Sequence, residues 1–201
     1  MFFAGISERY CIPFRLTLPN VETGPRLGGR APLNVTPDNP AAAYLLTLPL
    51  RDGTSREASI FLAFDISFVL KNRNRVFEDP SLLEVIVHEA SRRRSDNAFA
   101  SKLSPNAIRL LDEIEDTVEG EPYTDHKIGG RPFVGGSPRI EAGIADLTGR
   151  GYRHWLQLDV PGVDEMGESA DEGDWPFASG IFNLMVCVEG GAWSIAYFWQ
   201  L

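Results

Sequence analysis

Apolar and polar positions follow a strand-like pattern in six stretches of the chain: Tyr10–Leu18, Ala43–Leu48, Ala58–Phe64, Trp155–Asp159, Ile181–Val188 and Ala192–Trp199. All are rich in β-branched and aromatic residues and bounded by Gly, Pro or Asp, so each predicts a β-strand. Pro13 would confine the first of them to a sheet edge or a bulge. Arg51-Asp52-Gly53 and Glu189-Gly190-Gly191-Ala192 supply turn signals between neighbouring strands.

Two further stretches carry helix signals. Asp79-Pro80 precedes Leu82, Leu83, Val85, Ile86 and Ala90, with Arg92-Arg93-Arg94 near the end, where cations suit a helix C-terminus. Ser104-Pro105 precedes Ile108, Leu111, Ile114 and Val118, with Asp112, Glu113, Glu115 and Asp116 as an acidic, solvated face. Gly120-Glu121-Pro122 ends that second element.

The two halves of the chain echo one another. Leu27-Gly28-Gly29-Arg30 answers Ile128-Gly129-Gly130-Arg131, and Tyr44-Leu45-Leu46-Thr47-Leu48 answers His154-Trp155-Leu156-Gln157-Leu158. Ser59-Ile60-Phe61-Leu62 answers Gly180-Ile181-Phe182-Asn183 in the same order. The expectation is an α+β fold: one domain over 1–201, with a β-unit at 10–70, a helical pair at 79–118, and a second, similar β-unit at 123–201.

His126-Lys127-Ile128-Gly129-Gly130 with Pro132, Leu156-Gln157-Leu158-Asp159, and the segment from Trp175 to Gly180 before an aromatic strand carry a family resemblance. On these residues the chain resembles the YwqG-like family of bacterial proteins, a family without an assigned activity, more fully in the second half than in the first. The resemblance implies two similar β-rich units. The chain departs from the family pattern at Ala178-Ser179, where an Asp is usual before Gly180, and at Thr47, where a Gln is expected.

Composition narrows the function. The 201 residues carry 28 Asp and Glu against 19 Lys and Arg, a formal charge of −9. That balance disfavours nucleic acid and anionic membranes as partners and favours a neutral or basic one. The apolar start, Met1 to Ile6, makes a poor signal peptide, and no run approaches the roughly 20 apolar residues of a membrane span, so the expected setting is cytoplasmic. Cys11 and Cys187 read as free thiols beside strand residues.

The strongest candidate surface is acidic. Seven carboxylates and no Lys or Arg lie from Asp159 to Asp174. Asp164, Glu165, Glu168, Asp171, Glu172 and Asp174 read as a docking surface for a basic protein, with Met166 and Trp175 as apolar anchors. A merely solvated loop, with Trp175 packed beneath it, is the competing reading. The spacing does not match a calcium loop, and His88, His126 and His154 lack zinc spacing, so no metal and no cofactor is expected. Gly129-Gly130 and Gly135-Gly136 lack a P-loop Lys-Ser or Lys-Thr and read as turn glycines. The functional expectation is a non-enzymatic binding protein, in its most concrete form an immunity-type protein neutralising a basic, nuclease-like toxin. The alternative is a housekeeping protein of the YwqG-like family that binds a small ligand between its β-units. A hydrolase using carboxylates is a third reading, and the oligomeric state is open.

Overall fold

The computed structural model describes residues 8–17, 22–117, 125–159, 176–177 and 180–200. Among them one antiparallel sheet of twelve strands curls into a half-barrel, accompanied by two short helices. The strands are β1 (Tyr10–Thr17), β2 (Arg26–Leu27), β3 (Ala43–Pro49), β4 (Arg56–Leu62), β5 (Val76–Phe77) and β6 (Leu83–Glu89). They continue with β7 (Asn106–Leu110), β8 (Ile114–Glu115), β9 (Lys127–Gly129), β10 (Arg153–Leu158), β11 (Ile181–Glu189) and β12 (Ala192–Gln200). The helices are α1 (Ile66–Lys71) and α2 (Pro138–Gly149). The order across the sheet is β5-β12-β11-β10-β9-β1-β7-β2-β3-β4-β6, with β8 also pairing β1.

The expected α+β fold with a helical pair at 79–118 is therefore wrong. Leu83, Val85 and Val87 face the main core while Ile86 packs on the opposite face, which is a period of two. The β-branched run Val85-Ile86-Val87 loses less side-chain freedom in a strand than in a helix. Asp79 does not cap a helix: its carboxylate accepts from the Ser81 amide at 2.9 Å in a turn. In the second stretch Ile108 and Leu110 alternate onto the core face as β7, and the chain then breaks before β8. The device that failed at Ser104-Pro105 does start a helix at Ser137-Pro138, where α2 begins.

Pro13 is not at an edge either, since β1 lies in the middle of the sheet. It sits opposite the break between β7 and β8, and there its carbonyl accepts from the Leu111 amide at 2.9 Å. At this point β1 changes neighbours: Tyr10 and Cys11 pair with β8, and Phe14 to Thr17 pair with β7.

The registers expose a two-fold relation. Lys127 pairs with Gln157, which pairs with Asn183; Arg26 pairs with Thr47, which pairs with Ser59. Both halves carry the same register shift, between His154 and Leu156 and between Tyr44 and Leu46. Pro13 pairs with Lys127 as Ala107 pairs with Arg26, so β1 and β7 are equivalent strands. The axis runs through the β1–β7 pair, where exposed Arg15 faces exposed Arg109. Each half thus takes its first strand from the other side: β1-β9-β10-β11-β12 and β7-β2-β3-β4-β6.

One face of the sheet bears the main core, shared by both halves and including Phe14, Leu46, Ile60, Trp155, Leu156, Leu184 and Trp199. The α1 helix closes part of it, with its Val69 carbonyl accepting from Trp199 Nε1 at 3.0 Å. The opposite face carries two smaller clusters, one per half. Ile140 and Leu147 of α2 pack on Met185 and Phe198 in the second half; Ala31 and Val35 pack on Tyr44 and Phe61 in the first.

Candidate functional site

On that opposite face, each half buries a row of polar side chains at matching positions. In the second half the row is Lys127, Gln157 and Asn183 with Gln200, and it fastens the covering loop after Gly130. Lys127 Nζ donates to Asp116 Oδ1 and to the Arg131 carbonyl, each at 2.7 Å. Asp116 Oδ2 accepts from the Arg131 amide at 2.5 Å. Gln157 accepts from the Phe133 amide at 3.0 Å, and Asn183 and Gln200 donate to the Phe133 and Val134 carbonyls. Lys127 and Asp116 both have fully buried side chains. Burial pulls the Lys127 amine below its ordinary range against the pull of Asp116. Asp116, expected on a solvated acidic face, is instead the internal counter-ion of the second half.

The first half places Arg26 where the second has Lys127, but the surroundings differ. Arg26 is fully buried, and its Nη1 donates to the Gly24 carbonyl at 2.7 Å. Thr47, Ser59 and His88 form a chain beside it: Thr47 and Ser59 hydroxyls 2.7 Å apart, and Ser59 2.8 Å from His88 Nε2. Tyr44 donates to Thr47 at 2.8 Å, and burial pushes its hydroxyl up to about 12. The nearby charged groups are Glu57 and a second guanidinium, Arg93. Burial and the Arg26 charge together pull Arg93 below the usual arginine range. Among the described residues, Nε and Nη2 of both Arg26 and Arg93 are buried without a hydrogen-bond partner. Burial pushes the Glu57 carboxyl up against the pull of Arg26, and its Oε2 also lacks a partner.

Arg93 borders a cavity of about 650 Å³ whose wall also includes Gly29, Arg30, Arg94 and Lys102, with Glu22 as its carboxylate. Arg94 is paired with Asp96 at 3.0 Å, and Arg30 Nε donates to Asn97 at 3.1 Å. In the second half a cavity of about 450 Å³ borders Gly130 and Arg131, the counterparts of Gly29 and Arg30. All four glycines of the two pairs have positive φ, between 70° and 75°. That left-handed backbone turns the chain from each short strand onto the face above it. The glycine pairs thus lead the chain to the edge of each cavity.

The acidic candidates Asp164, Glu165, Met166, Glu168, Asp171, Glu172, Asp174 and Trp175 lie outside the described residues. His126 stacks on Phe14 with ring centroids 5.2 Å apart and accepts from the Asp159 amide, which is a packing role. His88 is a strand residue, not a helical one. Cys11 and Cys187 are free, the first buried and the second half-buried. Sequence reasoning missed Arg26 and Arg93. A signal for the first existed, since a cation two places before the glycine pair occurs in both halves, in Arg26-Leu27-Gly28-Gly29 and Lys127-Ile128-Gly129-Gly130.

Fold and site together describe a two-fold β-sheet protein with a pocket beside each glycine pair, cationic in the first half. No protein-family model, no curated protein and no solved structure matches the chain. Among the described residues no helix is long and apolar enough to cross a membrane.

Proposed function

We propose that the protein binds a small anionic ligand, carboxylate or phosphate, at the first-half cavity. One contrast carries this reading. Lys127 is bonded to a carboxylate of its own, Asp116, whereas Arg26 in the equivalent place has both Glu57 and a second cation, Arg93, near it, and both guanidiniums leave buried N–H groups unmet. Unpaired buried donors are costly, and charged ones most of all. Guanidinium forks match the two oxygens of a carboxylate or phosphate. A ligand anion would stand where Asp116 stands in the other half. Binding rather than catalysis, and kinship to the YwqG-like family, belong to the same proposal; the paired Gly-Gly-Arg turns support the kinship.

The test is a melting titration with inorganic phosphate and with citrate, in wild type and in Arg93→Met. Wild type should melt higher with one of the two anions, by the roughly 2.7 kcal/mol expected at a hundredfold excess over Kd. Arg93→Met should melt at or above wild type without ligand, because the repulsion between the two cations is gone, and should lose the anion response. An unaltered response in the variant would refute the site.

A second reading, an immunity-type protein that docks a basic toxin, is supported by the charge of −9 and the seven carboxylates from Asp159 to Asp174. Charge reversal at Glu165, Glu168 and Asp171 together should then weaken that partner's binding and leave the melting temperature unchanged. Affinity for the partner unaltered by the triple reversal would dismiss this docking surface.

A further inference from the structure

The second-half cavity differs in chemistry from its cationic counterpart. Its wall includes His154, Met185, Ile144 and Ala145, and its charges balance: Arg131 and Arg153 against Glu8 and Glu141. His154 is 9% exposed. Its Nδ1 lies 2.9 Å from the Gly129 carbonyl oxygen, which only accepts, so Nδ1 carries the proton and Nε2 the lone pair. That Nε2 is buried and has no partner among the described residues. Burial, aided by the Lys127 charge, holds the imidazole neutral, down to about 4. The equivalent residue of the first half, Tyr44, has its hydroxyl satisfied by Thr47. The unpartnered acceptor is therefore particular to the second half.

We propose that this cavity is a second binding site, for a small neutral molecule with an apolar ring and one hydrogen-bond donor directed at His154 Nε2. The volume of about 450 Å³ admits a single ring with substituents. Met185, which pairs with His154 across β10 and β11, offers a polarisable surface to an aromatic face. Balanced charge at the wall gives no preference for an ion, in contrast to the first-half cavity. The site is independent of the anion reading, since it shares no residue with it.

Phenol is the probe. Long-range proton–nitrogen spectra of histidine-labelled protein, with methyl-labelled methionine, read the site directly. The free protein should show His154 as the Nδ1–H tautomer. Phenol should displace the Nε2 resonance saturably, keep the Nδ1 proton, and shift the Met185 methyl. Benzene, the same ring without the donor, should bind on the order of tenfold more weakly, the value of one hydrogen bond to a buried acceptor. Ala145 is exposed on α2, so Ala145→Trp should fold and block the cavity, abolishing both shifts. An Nε2–H tautomer in the free protein overturns the proposal. So do equal affinities for phenol and benzene, the absence of any His154 displacement, or a displacement unaltered in Ala145→Trp.

Discussion

The buried pair Lys127–Asp116 gives the sharpest test of how the second half is held. Asp116→Asn keeps the side-chain volume and an acceptor for the Arg131 amide, but removes the carboxylate bonded to a fully buried ammonium. Breaking a buried ion pair from one side costs about 3–5 kcal/mol, because the remaining charge has no counter-charge. For a chain of this length each kcal/mol lowers Tm by about 2–4 °C, so the variant should melt roughly 6–20 °C below wild type at pH 7. The pH dependence has a definite sign. Lys127 is already held below its ordinary range by burial, so at high pH the native state binds fewer protons than the unfolded chain. Loss of Asp116 extends that window downward, and the variant should regain stability as pH rises toward the ordinary lysine value of 10.5. Lys127→Met with Asp116→Leu, which removes both charges, should be less destabilised than Asp116→Asn. Calorimetric melting of the three proteins decides the matter. A loss below about 2 °C in Asp116→Asn would mean that the pair is hydrated in solution and does not clamp the loop.

Three further outcomes follow from the geometry. His154 is held at about 4 against an ordinary 6.5, so its native form binds fewer protons. Stability from this group is complete above pH 6.5 and is lost as pH falls toward 4, by about 3 kcal/mol, which urea melts of wild type against His154→Leu should show as a narrowing gap. Gly28→Ala and Gly53→Ala both force a side chain into positive φ, about 1–2 kcal/mol, but only at Gly28 does the new Cβ meet the Ser104 carbonyl, at 2.5 Å; denaturant titration should show a clearly larger loss at Gly28. Thr47→Val removes a hydroxyl bonded to both Tyr44 and Ser59, and should cost about 1–3 kcal/mol in the same assay.

The strands were legible because their periodicity is local: β3, β4, β10, β11 and β12 begin and end within a few residues of the expected runs. The equivalence of the two glycine pairs was legible too, since left-handed backbone selects Gly wherever it occurs. The helical pair was misread because Pro after Asp or Ser starts turns as readily as helices. In Leu82-Leu83-Glu84-Val85-Ile86-Val87 the apolar residues fit both periods, and β-branching is the deciding feature. Asp116 sits among Asp112, Glu113 and Glu115 in the sequence, and nothing local distinguishes the one that is buried. Its burial follows from β8 lying beside β1 and from Lys127 arriving through β9, two long-range pairings. Arg93 is hidden in the same way within Arg92-Arg93-Arg94. Its neighbour Arg26 is remote in sequence and is brought near by the sheet.

The exchange of first strands between the halves has a consequence for the nascent chain. β1 is made before the other described strands, yet its partners β7, β8 and β9 lie between residues 106 and 129. At translation rates of about 5–20 residues per second, Ile12, Phe14 and Leu16 wait roughly 5–20 s for the surface that will cover them. The first half waits as well, because β2 has β7 as a neighbour. A strip of exposed apolar strand on the ribosome is the kind of segment that holding chaperones bind, and a stalled chain ending before residue 106 carries β1 but lacks β7, the strand it meets at the centre of the sheet. Synthesis must therefore pass the middle of the chain before either half can close.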